Sequence, residues 1–152
     1  MPRTTWFLLF GFVCLGLAGC STVPDKSELT RMDRSDLRSA VVGNTYTHLT
    51  EYGRWAEYVE SLDTGYGRAS GTWGSSSAEA EYTIASNGEW CKEYSGKPDW
   101  ANPEHEFCSV LYTGSEGNVY AETTTNTREP AREGEIRQVE IRSGDDFGLE
   151  PE

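Results

Sequence analysis

The chain has 152 residues, with 25 Asp and Glu against 13 Lys and Arg, a formal net charge of −12 and a mean hydropathy of −0.61. That acid excess excludes a nucleic-acid binder, which needs a basic footprint, and electrostatic docking on anionic lipid. The length fits one domain with a modest core.

In chain order, Arg3 supplies a positive start and Trp6 to Leu17 form an apolar run of about twelve residues, the plan of a secretory signal. A transmembrane helix needs roughly twenty apolar residues, and this run gives way to polar residues from Ser21 onward. At its end, Leu17-Ala18-Gly19-Cys20 resembles the bacterial lipobox. The resemblance implies cleavage before Cys20 and acyl chains on that cysteine. Two or more chains anchor stably, at about 0.8 kcal/mol per buried CH₂. Ser21, rather than Asp, after the cysteine points to the periplasmic face of the outer membrane. Removing residues 1–19 takes away one cation, Arg3, and no acid, so −12 becomes −13. Residues 20–34 then read as a polar tether and residues 35–149 as the domain.

A short helix is expected over Asp36–Val42, capped by Ser35 and closed by Gly43, with Leu37, Ala40 and Val41 on one face. From Asn44 onward, runs rich in Thr, Tyr, Val, Ile and Trp alternate with Gly, Asn, Asp and Ser clusters. Strands are expected at 45–50, 55–62, 66–73, 80–85, 89–94, 106–112, 118–124 and 135–141. Ser86-Asn87-Gly88 carries the dipeptide of a type I′ hairpin, and Gly114-Ser115-Glu116-Gly117 is a second turn. Residues 95–103 and 125–134 are longer loops. The acidic tail after Ile141 is expected to fray, except that Phe147 can pack back. Gly67 and Gly71 mark a close backbone approach or a barrel bend. The fold class is therefore all-β: a small antiparallel barrel or meander of about eight strands, closed because closure removes exposed edges. An open sheet or sandwich is the alternative.

Of the four cysteines, Cys14 lies in the signal and Cys20 is spent on lipid, leaving Cys91 and Cys108. In an oxidising envelope such a pair reads as a disulfide, closing a loop of about seventeen residues worth roughly 3 kcal/mol. A metal site with Glu104, His105 and Glu106 is the competing reading. Neighbouring side chains on an extended chain point to alternate faces, so these three do not converge easily. No metal and no cofactor are expected.

The order of features from Leu37 to Leu149 resembles a family of small secreted bacterial domains of unknown function. The matching residues are Asp36-Leu37, Gly43-Asn44-Thr45, Trp55-x-x-Tyr58, Gly71-Thr72-Trp73, Gly88-Glu89-Trp90-Cys91, Cys108 and Asp145-x-Phe147-Gly148-Leu149. The loop before Cys108 is longer here and the tail more acidic. The resemblance implies the barrel and the Cys91–Cys108 pairing, and carries over no catalytic residue.

His48 and His105 are the only histidines, and the chain has no nucleophile elbow, phosphate-cradling loop or His-Glu-x-x-His helix. No catalytic residues are assigned and no enzyme is expected. Large rings are the other candidates: Trp55, Trp73, Trp90 and Trp100 either fill a small barrel or line its mouth and stack on a ligand. Trp100, in a Pro-rich loop beside Lys97 and Asp99, is expected to be exposed. The expected function is a lipid-anchored, non-catalytic binding or envelope-maintenance module with a small-molecule, glycan or envelope-protein partner. The alternative is a periplasmic inhibitor of a basic hydrolase such as lysozyme, steered by opposite charge.

Overall fold

All eight expected strands form, and their pairing closes a barrel. The computed structural model describes residues 23–149 apart from 52, 72, 73 and 97. After a two-residue strand β1 (Thr30–Arg31) and a helix α1 (Arg34–Val41), the barrel runs β2 (Asn44–Thr50), β3 (Gly53–Val59), β4 (Gly65–Gly71), β5 (Gly74–Ile84), β6 (Trp90–Ser95), β7 (Phe107–Thr113), β8 (Val119–Asn126) and β9 (Ile136–Ser143). Each strand pairs antiparallel with the next, and β9 pairs back onto β2 from Asn44↔Ser143 to Thr47↔Glu140, which closes the ring. β5 begins six residues earlier than expected. Its Gly-Ser-Ser-Ser start has little intrinsic strand preference and is held by full pairing with β4, from Gly71↔Gly74 to Gly65↔Ala80.

The helix starts two residues earlier than expected because Asp33, not Ser35, is the cap: its carboxylate accepts from the Ser35 and Asp36 amides. Leu37 and Val41 are fully buried and share one core with Val59, Ile84, Trp90, Leu111 and Val139. Each such side chain contributes about 1.5–3 kcal/mol on burial. The helix thereby plugs one end of the barrel and leaves the other to the loops.

The 86–88 turn differs from expectation. Type I′ needs positive φ at both central residues, yet among the described residues only glycines have it, here Gly88 at +74°. The Ala85 amide bonds the Glu89 carbonyl and the Gly88 amide bonds the Ala85 carbonyl, a three-residue loop. Gly114–Asn118 repeats that build, with Gly117 at +79°. Gly88 also lets a neighbouring backbone approach: a Cβ there would lie 3.0 Å from the Met32 carbonyl oxygen.

Both ends of the described segment dock, where residues 20–34 read as a tether and the tail after Ile141, Phe147 apart, as frayed. β6 pairs only with Phe107 to Ser109 of β7, leaving the far end of that edge needing partners. β1 supplies them through Thr30↔Thr113 and Arg31↔Tyr112, and the Met32 amide bonds the Leu111 carbonyl. Leu29 packs with Val110, Tyr112, Tyr120 and Ile136 in a second cluster, and Lys26 pairs with Glu122 at 2.7 Å. At the other terminus the Asp146 amide bonds the Thr45 hydroxyl, Arg68 donates to the Phe147 and Gly148 carbonyls, and Leu149 is buried.

Cys91 and Cys108 are joined, directly opposite each other on β6 and β7. Only three residue pairs hold that seam, fewer than any other in the ring, so the disulfide sits where the barrel has least backbone pairing.

Candidate functional site

Strand alternation turns every second residue inward, and at the open end that phase delivers charge as well as rings. Trp55, Glu57 and Val59 share the inner face of β3, as Trp90, Lys92 and Tyr94 share that of β6. Glu57 is fully buried and Lys92 is 6% exposed. One carboxylate oxygen of Glu57 accepts from Lys92 Nζ at 2.8 Å, the Tyr94 hydroxyl at 3.0 Å and Trp55 Nε1 at 3.0 Å. The Lys92 ammonium also sits 3.9 Å from the Trp90 ring centre and 4.7 Å from that of Tyr46, so ring faces as well as a carboxylate offset its lost hydration. Burial pushes Lys92 down against the opposing pull of Glu57. Burial first, then Glu57, holds the Tyr82 and Tyr94 hydroxyls well above the usual phenol range.

His48 lies beside this floor. Arg137 Nη1 is 3.1 Å from its Nε2. A guanidinium can only donate, so Nε2 accepts and the ring proton is assigned to Nδ1. Burial, then Arg137, Lys92 and Arg132, push His48 down to about 3. It is a neutral ring with its lone pair already engaged, and so is not poised as a base.

Above the floor opens a cavity of about 420 Å³, within the range of small-molecule sites. One wall is aromatic. Trp100 meets Trp55 edge-on at 4.9 Å and Tyr94 at 5.4 Å, and Tyr94 meets Phe107 at 5.5 Å. Gly67 makes this wall possible, because a Cβ there would lie 2.8 Å from the Trp55 ring and 3.0 Å from Tyr94. The facing wall carries Arg137, Arg132 and Arg128, with hydroxyls such as Thr50, Thr123 and Thr125 between. At the mouth Arg132 bonds Glu129 and Glu51, and Glu135 bridges Arg132 and Arg137. Arg128 reaches Asp99 of the neighbouring loop at 3.6 Å.

The tryptophans separate. Trp55 and Trp100 line the cavity. Trp100 is half-buried rather than exposed, because Nε1 donates to the Ser76 hydroxyl at 2.8 Å and the ring packs on the aromatic wall. Trp90 is not a ligand contact: it is 0% exposed, stacks on Tyr82 and lies beneath Lys92. Trp73 and Cys20 lie outside the described residues. The Cys91 and Cys108 sulfurs fall within 4.8 Å of a Glu106 oxygen, but as a disulfide they are not thiolate ligands. His105 instead meets Phe107 at 6.3 Å.

Glu57, Lys92, His48 and Arg137 were not picked out by residue type. The available signal was phase: Trp55-x-Glu57-x-Val59 and Trp90-x-Lys92-x-Tyr94 place both charges among inward residues. Compared with known proteins, the chain matches no family model, no curated protein and no solved structure.

Proposed function

We propose that this chain is a lipid-anchored, non-catalytic binding protein of the bacterial envelope that takes a small molecule into the open end of its barrel. The observation that carries the reading is the cavity of about 420 Å³, walled by Trp55, Tyr94, Trp100 and Phe107 at the end opposite the helix plug. A barrel filled by its side chains would offer no such volume. Arg137 on His48 Nε2 and three donors on one oxygen of Glu57 engage the atoms a proton would use there, which favours binding over acid–base chemistry. Anchoring rests on Leu17-Ala18-Gly19-Cys20 and the preceding apolar run; among the described residues no helix is long and apolar enough to cross a membrane.

Two measurements test the two halves. Cells fed labelled palmitate should label the wild-type protein and not Cys20→Ala; an unlabelled wild type refutes the anchor. Titration with a neutral naphthalene probe should shift the tryptophan emission and raise Tm, and Trp55→Ala should weaken both responses. A probe that binds Trp55→Ala as well as wild type places binding elsewhere and overturns the cavity reading.

A further inference from the structure

The two walls and the floor of the cavity differ in chemistry, and the difference specifies a ligand class. This inference rests on the cavity reading above. The whole chain carries a net charge of −12, yet the side chains around the cavity include Arg54, Lys92, Arg128, Arg132 and Arg137 against one acid, Glu129. The rim acids are engaged: Glu51 and Glu129 turn onto Arg132, and Glu135 onto Arg132 and Arg137. Deeper in, Lys92 pairs with Glu57 and Arg137 with Glu135. Lys92 and Arg137 are joined through a continuous path of contacts: Lys92 over the Tyr46 ring at 4.7 Å, Tyr46 against the His48 ring at 5.5 Å, and His48 Nε2 at 3.1 Å from Arg137. Among the described residues Glu57 is the carboxylate paired with Lys92; one of its oxygens serves three donors, while the other is buried and bonds none. An ammonium has three donors to give, and Lys92 also lies over the faces of the Tyr46 and Trp90 rings.

We infer that the cavity binds a small ring-bearing anion, its planar body against Trp55, Trp100 and Phe107 and its carboxylate, or an equivalent oxyanion, in the corner between Lys92 and Arg137. The anion's oxygens add acceptors for Lys92 and Arg137 beside those that Glu57, His48, Thr123 and Glu135 already give them, and buried charge-assisted hydrogen bonds discriminate strongly. An ammonium in the same place would face the like charges of Lys92 and Arg137, whose carboxylate partners are Glu57 and Glu135. A neutral amide would keep the ring contacts and lose the charge-assisted bonds.

The test uses the protein with its native N-terminus in lipid nanodiscs, with empty nanodiscs subtracted, and isothermal titration of 2-naphthoate, 2-naphthamide and 2-naphthylmethylamine. These share one ring system and differ in head group. The carboxylate should bind at least tenfold more tightly than the amide, and the amine most weakly. Arg137→Gln, and separately the double variant Glu57→Gln with Lys92→Met, should bring the carboxylate down to the level of the amide while amide binding is retained. Retained amide binding shows that the variant barrel is folded. Equal affinity for all three heads overturns the anion inference and leaves the cavity reading standing, as does tightest binding of the amine. Absence of binding by any of the three at millimolar concentration overturns both.

Discussion

Lys92→Met removes the ion-pair partner of a carboxylate that is fully buried, and the cost can be worked from the contacts. Glu57 loses its 2.8 Å bond to Nζ but keeps those from Trp55 Nε1 and the Tyr94 hydroxyl. Breaking a buried pair from one side costs about 3–5 kcal/mol, because the remaining charge stays desolvated. For a domain of ordinary stability, about 5–15 kcal/mol in total, that is a large share, equivalent to a fall in Tm of about 10–15 °C at this size. Adding Glu57→Gln to the same protein should return part of the loss. The glutamine carbonyl can accept from Trp55 and Tyr94, and the methionine chain keeps apolar contact with the Tyr46 and Trp90 rings. The double variant is therefore expected to be more stable than Lys92→Met alone, a coupling of about 2 kcal/mol or more, at the upper end for residues in direct contact. Urea unfolding followed by tryptophan fluorescence on wild type, both single variants and the double variant gives the cycle. If Lys92→Met lies within about 1 kcal/mol of wild type, or the two single effects simply add, the buried pair is not energetically coupled and the account of the cavity floor is wrong.

Replacing Cys91 and Cys108 together by Ala should cost about 3 kcal/mol by the loop-closure argument; free thiols titrated in unreduced native protein would refute the bridge. His48 is held down to about 3 against an ordinary 6.5, so the unfolded chain binds the extra proton first as pH falls. Its contribution is fully present above pH 6.5 and is lost progressively toward pH 3. At about 1.36 kcal/mol per pH unit this amounts to about 5 kcal/mol. The difference in unfolding free energy between wild type and His48→Gln should therefore change over that window, and a difference independent of pH refutes the buried neutral ring. Gly67→Ala places a methyl 2.8 Å from the Trp55 ring and should cost about 1–3 kcal/mol by overpacking while shifting the tryptophan emission. Unchanged stability and emission would mean that Trp55 does not lie over this glycine.

The local pattern of the chain was enough for the strands and the short helix, because alternation of β-branched and aromatic residues with turn residues is a property of neighbours in sequence. The Cys91–Cys108 pairing was equally legible, since two cysteines beyond the apolar N-terminal segment, in a chain expected to be secreted, point to each other as partners. Closure of the ring by β9 on β2, docking of residues 25–32 on the free edge of β7 and of the tail on Thr45 and Arg68 depend on which backbone edges remain unpaired once the barrel has closed. That is a long-range fact. The site divides in the same way. Trp55 and Trp100 were recognisable as candidates by type, whereas the assignment of Trp90 to the core needed the packing of the plugged end. Glu57 and Lys92 lie in phase with inward-facing rings, but neither strand by itself names a partner for its charge. Only the assembled barrel brings the two together, 2.8 Å apart, because their desolvation is offset by each other, by the ring of Tyr46 across the hairpin from Glu57, and by those of Trp90 and Tyr94, far from Glu57 in sequence and adjacent only in the fold.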